Sequence, residues 1–160
     1  MPEFSISEIT PYLYISSFPG RKNAEQIREL GIRLILSMYL VRPNGIFRRP
    51  PFRLLWTPVI DSPLTPIPLR VFHKGVQAAL PVIDEEGRVL VHCRWGIHRS
   101  AAMACCILIA KGTSVNDAVA LVKSQRPVAR PDEEYVLARI RKFEEDWRLK
   151  TRDKTIPESR

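Results

Sequence analysis

Residues 89–100 read Val-Leu-Val-His-Cys-Arg-Trp-Gly-Ile-His-Arg-Ser, and residues 101–111 that follow are apolar nearly all round. Val89 to Val91 have the make-up of a short buried strand, and 101–111 that of a buried helix. Between them lies a tight loop, with Cys93 where the strand ends and Arg99-Ser100 where the helix begins. A loop that runs into a helix N-terminus points backbone N–H groups inward, and the helix dipole adds positive potential, so this segment has the form of an anion cradle. A cysteine in such a field favours its thiolate, with a pKa of roughly 3.5–7.5 in place of about 8.5. Arg99 adds a planar two-pronged donor suited to phosphoryl oxygens, and Gly96 gives the loop backbone freedom. Cys93 alone would read as a small buried hydrophobe. His92, Gly96, Arg99 and Ser100 beside it answer no common packing need, and an arginine opening an apolar helix is otherwise odd.

Working outward, residues 8–16 predict one or two short extended segments. A helix is expected around Asn23–Leu30, stopped by Gly31, then a buried strand from Ile32 to Met38. Residues 39–52 read as loop, Leu54–Ile60 as a strand, and Pro63, Pro66 and Pro68 as a stiffened loop directly after Asp61. Helical periodicity returns from Leu69 to about Leu80, where Pro81 should end or kink it. Ser114 caps a further helix, and a last one is expected from about Asp132 to Trp147. Strands alternating with helices predict one α/β domain over residues 1–147, with a mostly parallel central sheet of about five strands flanked by helices. Residues 148–160 read as a charged, frayed tail.

The 160-residue chain is long enough to bury a core without staples, and its three cysteines, two of them adjacent, make no disulfide framework. A reducing, cytoplasmic setting is expected. Residues 1–10 lack a signal-peptide pattern, and no apolar run is long enough to cross a bilayer. The net charge of +8 favours acidic partners without choosing among phosphoryl substrates, nucleic acid and anionic lipid. The histidines and cysteines show no zinc spacing, so neither metal nor cofactor is expected.

His92-Cys93-x5-Arg99-Ser100 resembles the signature of the protein-tyrosine-phosphatase superfamily, and Leu90-Val91 with the helix Ala101–Leu108 resembles its dual-specificity branch. Tyr12-Leu-Tyr-Ile-Ser16, Ile60-Asp61 and Lys123-Ser-Gln-Arg-Pro127 extend the resemblance over nearly all of residues 8–147. It implies that superfamily's fold and a phosphocysteine mechanism. Cys93 would be the nucleophile. The amides of Arg94, Trp95, Gly96, Ile97, His98 and Arg99, with the Arg99 guanidinium, would hold the phosphoryl oxygens. Asp61 would be general acid and then base, Ser100 would help the sulfur leave, and His92 would tie the loop down. Trp95 reads as pocket lip or as packing against a neighbouring loop. His98 reads as an exposed loop residue or a source of charge near the phosphate, and Cys105 and Cys106 as core. Pro131-Asp132 stands where relatives often have Pro-Asn, and Asp132 reads as a helix N-cap.

The expected ligands are phosphotyrosine proteins, with phosphoserine and phosphothreonine proteins if the pocket is shallow, and inorganic phosphate or oxyanion inhibitors in the loop. A phosphoinositide phosphatase and an RNA 5′-triphosphatase are the alternative enzymes. A phosphoprotein-binding pseudophosphatase is the alternative of another class, opposed by Cys93, Arg99, Ser100 and Asp61 occurring together. A rhodanese-like sulfur transferase would not need Asp61 or Ser100.

Overall fold

The computed structural model describes residues 3–155. Its strands are β1 (Ile6–Thr10), β2 (Leu13–Ser16), β3 (Ile32–Ser37), β4 (Arg53–Trp56) and β5 (Arg88–His92). Its helices are α1 (Ala24–Glu29), α2 (Leu69–Asp84), α3 (Arg99–Ala110), α4 (Val115–Gln125) and α5 (Glu134–Thr155). The strands form one sheet in the order β1-β2-β5-β3-β4. Only β1 runs antiparallel, against β2; β2, β5, β3 and β4 are parallel to their neighbours. This is the mostly parallel five-stranded α/β sheet that the alternation predicted.

Period-two alternation divides the core between the two faces of the sheet. Leu13, Ile15, Leu34, Leu36, Val89 and Val91 pack with the side chains of α2, α3 and α5. Tyr14, Ile35 and Leu90 point the other way, onto Ala24 and Ile27 of α1 and onto Phe47 and Phe52 of the following loop. α3 is sheathed on all sides, with Arg99 to Ile109 all buried. α2 reaches it closely at Gly75, where an added Cβ would lie 2.4 Å from Met103 Cε. The parallel strands all end toward the same edge, and β5 is the middle strand of the five, so Cys93 emerges at the centre of that edge. In open α/β sheets this is where ligands bind.

Four expectations need correction. β4 ends at Trp56, short of Ile60: Pro58 has no N–H to donate, and beyond Trp56 Thr57 N still reaches Ser37 O of β3 at 2.8 Å and Val59 N reaches Met38 O, just past β3, at 3.2 Å. α2 passes through Pro81 to Asp84, since losing one donor a turn from the end is cheap. Asp132 is no N-cap: α5 starts at Glu134, and the Asp132 carboxylate accepts from Lys123 Nζ at 2.7 Å and pairs with Arg130 Nε at 3.4 Å. The Lys123 bond holds its carboxyl below the usual range. The helix also runs past Trp147 to Thr155, supported by Glu144–Arg148 and Asp146–Lys150 pairs one turn apart. The rest of the expected tail, residues 156–160, lies outside the described residues.

Candidate active site

The Cys93 loop is held open by its own carbonyls. Cys93 O accepts from His92 Nδ1 at 3.1 Å, and Arg94 O from Phe18 N at 2.9 Å. Trp95 O and Gly96 O accept from Arg126, from one Nη at 3.1 Å and from Nε at 2.8 Å. Ile97 O accepts from Arg130 N at 2.8 Å, and His98 O from Ala102 N at 2.9 Å in the first turn of α3. Buried carbonyls must find donors, and here each carbonyl from 93 to 98 finds one in a neighbouring element or in the adjoining chain. The amides of Gly96 and Ser100, by contrast, turn to the Cys93 sulfur.

Gly96 sits at φ +69°, and a Cβ there would fall 2.7 Å from both Ser16 O and the Arg126 guanidinium. Glycine is therefore required twice, by the backbone and by the space.

Cys93 is 2% exposed. Burial alone would raise its thiol pKa. The Ser100 hydroxyl, 3.2 Å from Sγ, the Ser100 amide, the Arg99 charge and the Gly96 amide together outweigh burial and lower it below the ordinary cysteine value. Arg99, 6% exposed, donates through Nη1 to Val59 O at 2.9 Å and lies over the Tyr39 ring, while its buried Nε has no protein partner. His92 is fully buried, and burial first of all, with the Arg99 charge adding, lowers its imidazole to about 4 against the raising pull of the Cys93 carbonyl. The ring is thus neutral near pH 7, and the bond to a carbonyl requires the proton on Nδ1. Its edge-on contact with Phe18, which in turn meets Tyr39, ties three strand ends beneath the loop.

Trp95 stands at the outer lip, 48% exposed, with the exposed Arg94 guanidinium 5.3 Å from its ring centre. Ile97 is half-buried. Asp61 reaches the loop through His98, whose Nδ1 is 2.9 Å from Asp61 Oδ2. The other oxygen, Oδ1, accepts from the Tyr135 hydroxyl at 2.6 Å. The structure so gathers the expected site residues at one edge of the sheet and adds Arg126 and Tyr135. Arg126 lay inside the 123–127 segment of the resemblance, but nothing local marks it as a loop clamp. Tyr135 carried no signal of its own.

The family described as "dual specificity phosphatase, catalytic domain" matches residues 13–146. The chain belongs to that family. It is 30% identical over 146 residues to human dual specificity protein phosphatase 9, covering 91% of this chain and 38% of that one. It is 30% identical over 128 residues to human dual specificity protein phosphatase 14, covering 79% of this chain and 63% of that one. The chain therefore spans less than two thirds of these relatives. A mouse crystal structure, described as a dual specificity phosphatase complexed with zinc tungstate, superposes with a TM-score of 0.81 at 28% identity, covering 91% of this chain and 90% of that one. Cys93 lies within the matched residues. Among the described residues, no helix is long and apolar enough to cross a membrane.

Proposed function

We propose that this chain hydrolyses phosphomonoesters on proteins, phosphotyrosine first and phosphoserine or phosphothreonine as well, through a phosphocysteine intermediate. The observation that carries the reading is the buried Cys93 sulfur, favoured as thiolate by Ser100, Arg99 and the Gly96 amide, in a loop whose carbonyls are engaged away from it.

The Cys93 thiolate attacks phosphorus in line. An S–P bond forms as the P–O bond to the leaving group breaks, and Asp61 gives its proton to the departing oxygen. Water then attacks the phosphocysteine and passes a proton to Asp61; the S–P bond breaks, inorganic phosphate leaves, and the Ser100 hydroxyl donates to the returning thiolate. Loop amides and the Arg99 guanidinium hold the phosphoryl oxygens throughout. The buried Arg99 Nε without a protein partner supports this, since an unpaired donor there is suited to an oxyanion. The mouse relative's tungstate, a tetrahedral oxyanion, supports it by analogy. Three unpaired cysteines support a reducing, cytoplasmic setting.

The test is a panel of phosphotyrosine, phosphoserine and phosphothreonine peptides, with a phosphoinositide and an RNA 5′-triphosphate alongside, in chelator. Turnover of phosphotyrosine peptide is expected. Turnover of lipid or RNA alone would move the substrate class, and tight phosphopeptide binding without turnover would mean a binding protein.

A further inference from the structure

The segment carrying Asp61 is anchored only at its ends. Val59 and Ile67 are each 8% exposed, whereas Ile60 is 49% and Leu64 91% exposed. Between this segment and α5 lies a largely apolar cleft of about 290 Å³, lined by Ile60, Pro63, Ile67 and Val136 among others. Packing therefore does little to fix Asp61. Both of its oxygens are nevertheless taken: Oδ1 by the Tyr135 hydroxyl at 2.6 Å, and Oδ2 by His98 Nδ1 at 2.9 Å. The two partners also meet each other, with ring centres 5.7 Å apart. One belongs to the second residue of α5 and the other to the Cys93 loop, so the pair ties Asp61 to two separate elements.

We infer that Tyr135 and His98 are positioning residues for Asp61, a two-sided clamp that holds its carboxyl in register with the Cys93 loop. The inference rests on the acid–base role of Asp61 proposed above. Neither residue touches the reacting phosphoryl group through this contact; both act through the carboxyl. The chemistry of the clamp suits both halves of the reaction. Burial and the Asp61 bond raise the Tyr135 phenol above its ordinary pKa, so it stays protonated and donates. With its proton on Nδ1 the imidazole of His98 donates to Oδ2, which leaves the proton of Asp61 itself free for the leaving oxygen. When Asp61 has given its proton to the leaving oxygen, the resulting carboxylate keeps the Tyr135 donor and, with the His98 proton on Nδ1, the imidazole donor as well. When water attacks the phosphocysteine, the same carboxylate is already aimed to take the proton. A carboxyl free to swing over an open cleft would lose that alignment, and a misplacement of about 1 Å can cost on the order of 10²-fold in rate.

The test uses Tyr135→Phe, His98→Ser, Asp61→Asn and the two double variants with Asp61→Asn. Each is assayed on phenyl phosphate, a poor leaving group, and p-nitrophenyl phosphate, a good one. Tyr135→Phe is expected to lower kcat/KM for phenyl phosphate about tenfold, a fraction of the ~10²–10⁴ that a whole general acid contributes. The loss on p-nitrophenyl phosphate should be clearly smaller, and His98→Ser should show the same split. In the Asp61→Asn background neither change should cost anything further, because the group through which it acts is gone. Equal losses on both substrates, or losses that multiply with that of Asp61→Asn, would overturn the clamp while leaving the phosphatase reading intact. A wild-type chain that turns over neither aryl phosphate nor phosphopeptide would sink both together.

Discussion

Cys93 and the pair Cys105–Cys106 lie at two ends of one short stretch, and all three are buried, at 2%, 0% and 0% exposure. Their thiols nonetheless move in opposite directions. Burial pushes Cys105 well up, and Cys106 too, where the neighbouring Cys105 adds to it. The same burial acts on Cys93, but the Ser100 hydroxyl, two amides and the Arg99 charge reverse it. Deep inside α3 the backbone N–H groups are spent on the helix; in its first turn and in the loop before it they are free to face a sulfur. Reactivity is therefore a matter of position relative to the helix start, and burial by itself makes a thiol inert.

The sharpest way to break this contrast is Cys93→Ser, expected to abolish turnover while binding of vanadate or tungstate persists; retained turnover would remove Cys93 from the chemistry. Next is Ser100→Ala. Losing the hydroxyl should slow turnover roughly 10–100-fold, the equivalent of the ~1.5–3 kcal/mol of a hydrogen bond to a charged group. It should also move the pH dependence of iodoacetamide alkylation. Thiolate is present above the Cys93 pKa and lost as pH falls through it, so lifting that pKa shifts the fall-off to higher pH. An unmoved profile would show that Ser100 does not hold the thiolate. The smallest effect belongs to the other end. Cys105→Ala and Cys106→Ala should each cost about 1 kcal/mol in urea denaturation, as small cavities do, with kcat/KM unchanged. Mass mapping should find native alkylation at Cys93 and at the other two only in denaturant.

The same contrast between local and distant interactions decides what the sequence made legible. The β5–loop–α3 unit was readable because strand, cysteine, glycine, arginine and helix follow one another directly. Gly31 was readable for the same reason, and it sits at φ +77° just past α1. The Ser114 cap was too, with Ser114 Oγ accepting from Asp117 N at 3.1 Å. What escaped depends on residues that meet only in the fold. His98 looked like a loose loop residue because its partner lies 37 positions away. His73 likewise carries no local signal: its Nε2 lies 2.5 Å from Asp146 Oδ2, and its ring stacks on Trp147, in a helix far along the chain. Asp132 misled in the opposite way. Its local pattern suited a cap, but Lys123 on the preceding helix claimed the carboxylate.

Arg126 carries one more consequence, for the order of assembly. Besides the two loop carbonyls, its guanidinium donates to Ser7 Oγ at 3.0 Å and Ser5 Oγ at 2.9 Å, residues 119 and 121 positions earlier. The cradle is thus closed by the beginning of the chain, its middle and its last third at once. Such closures join segments far apart in sequence, and topologies rich in them fold slowly. On a chain still emerging from a ribosome, Cys93 is synthesised well before Arg126 exists to shape the loop around it. Until then the Trp95 and Gly96 carbonyls lack the donor that turns them away from the Cys93 sulfur.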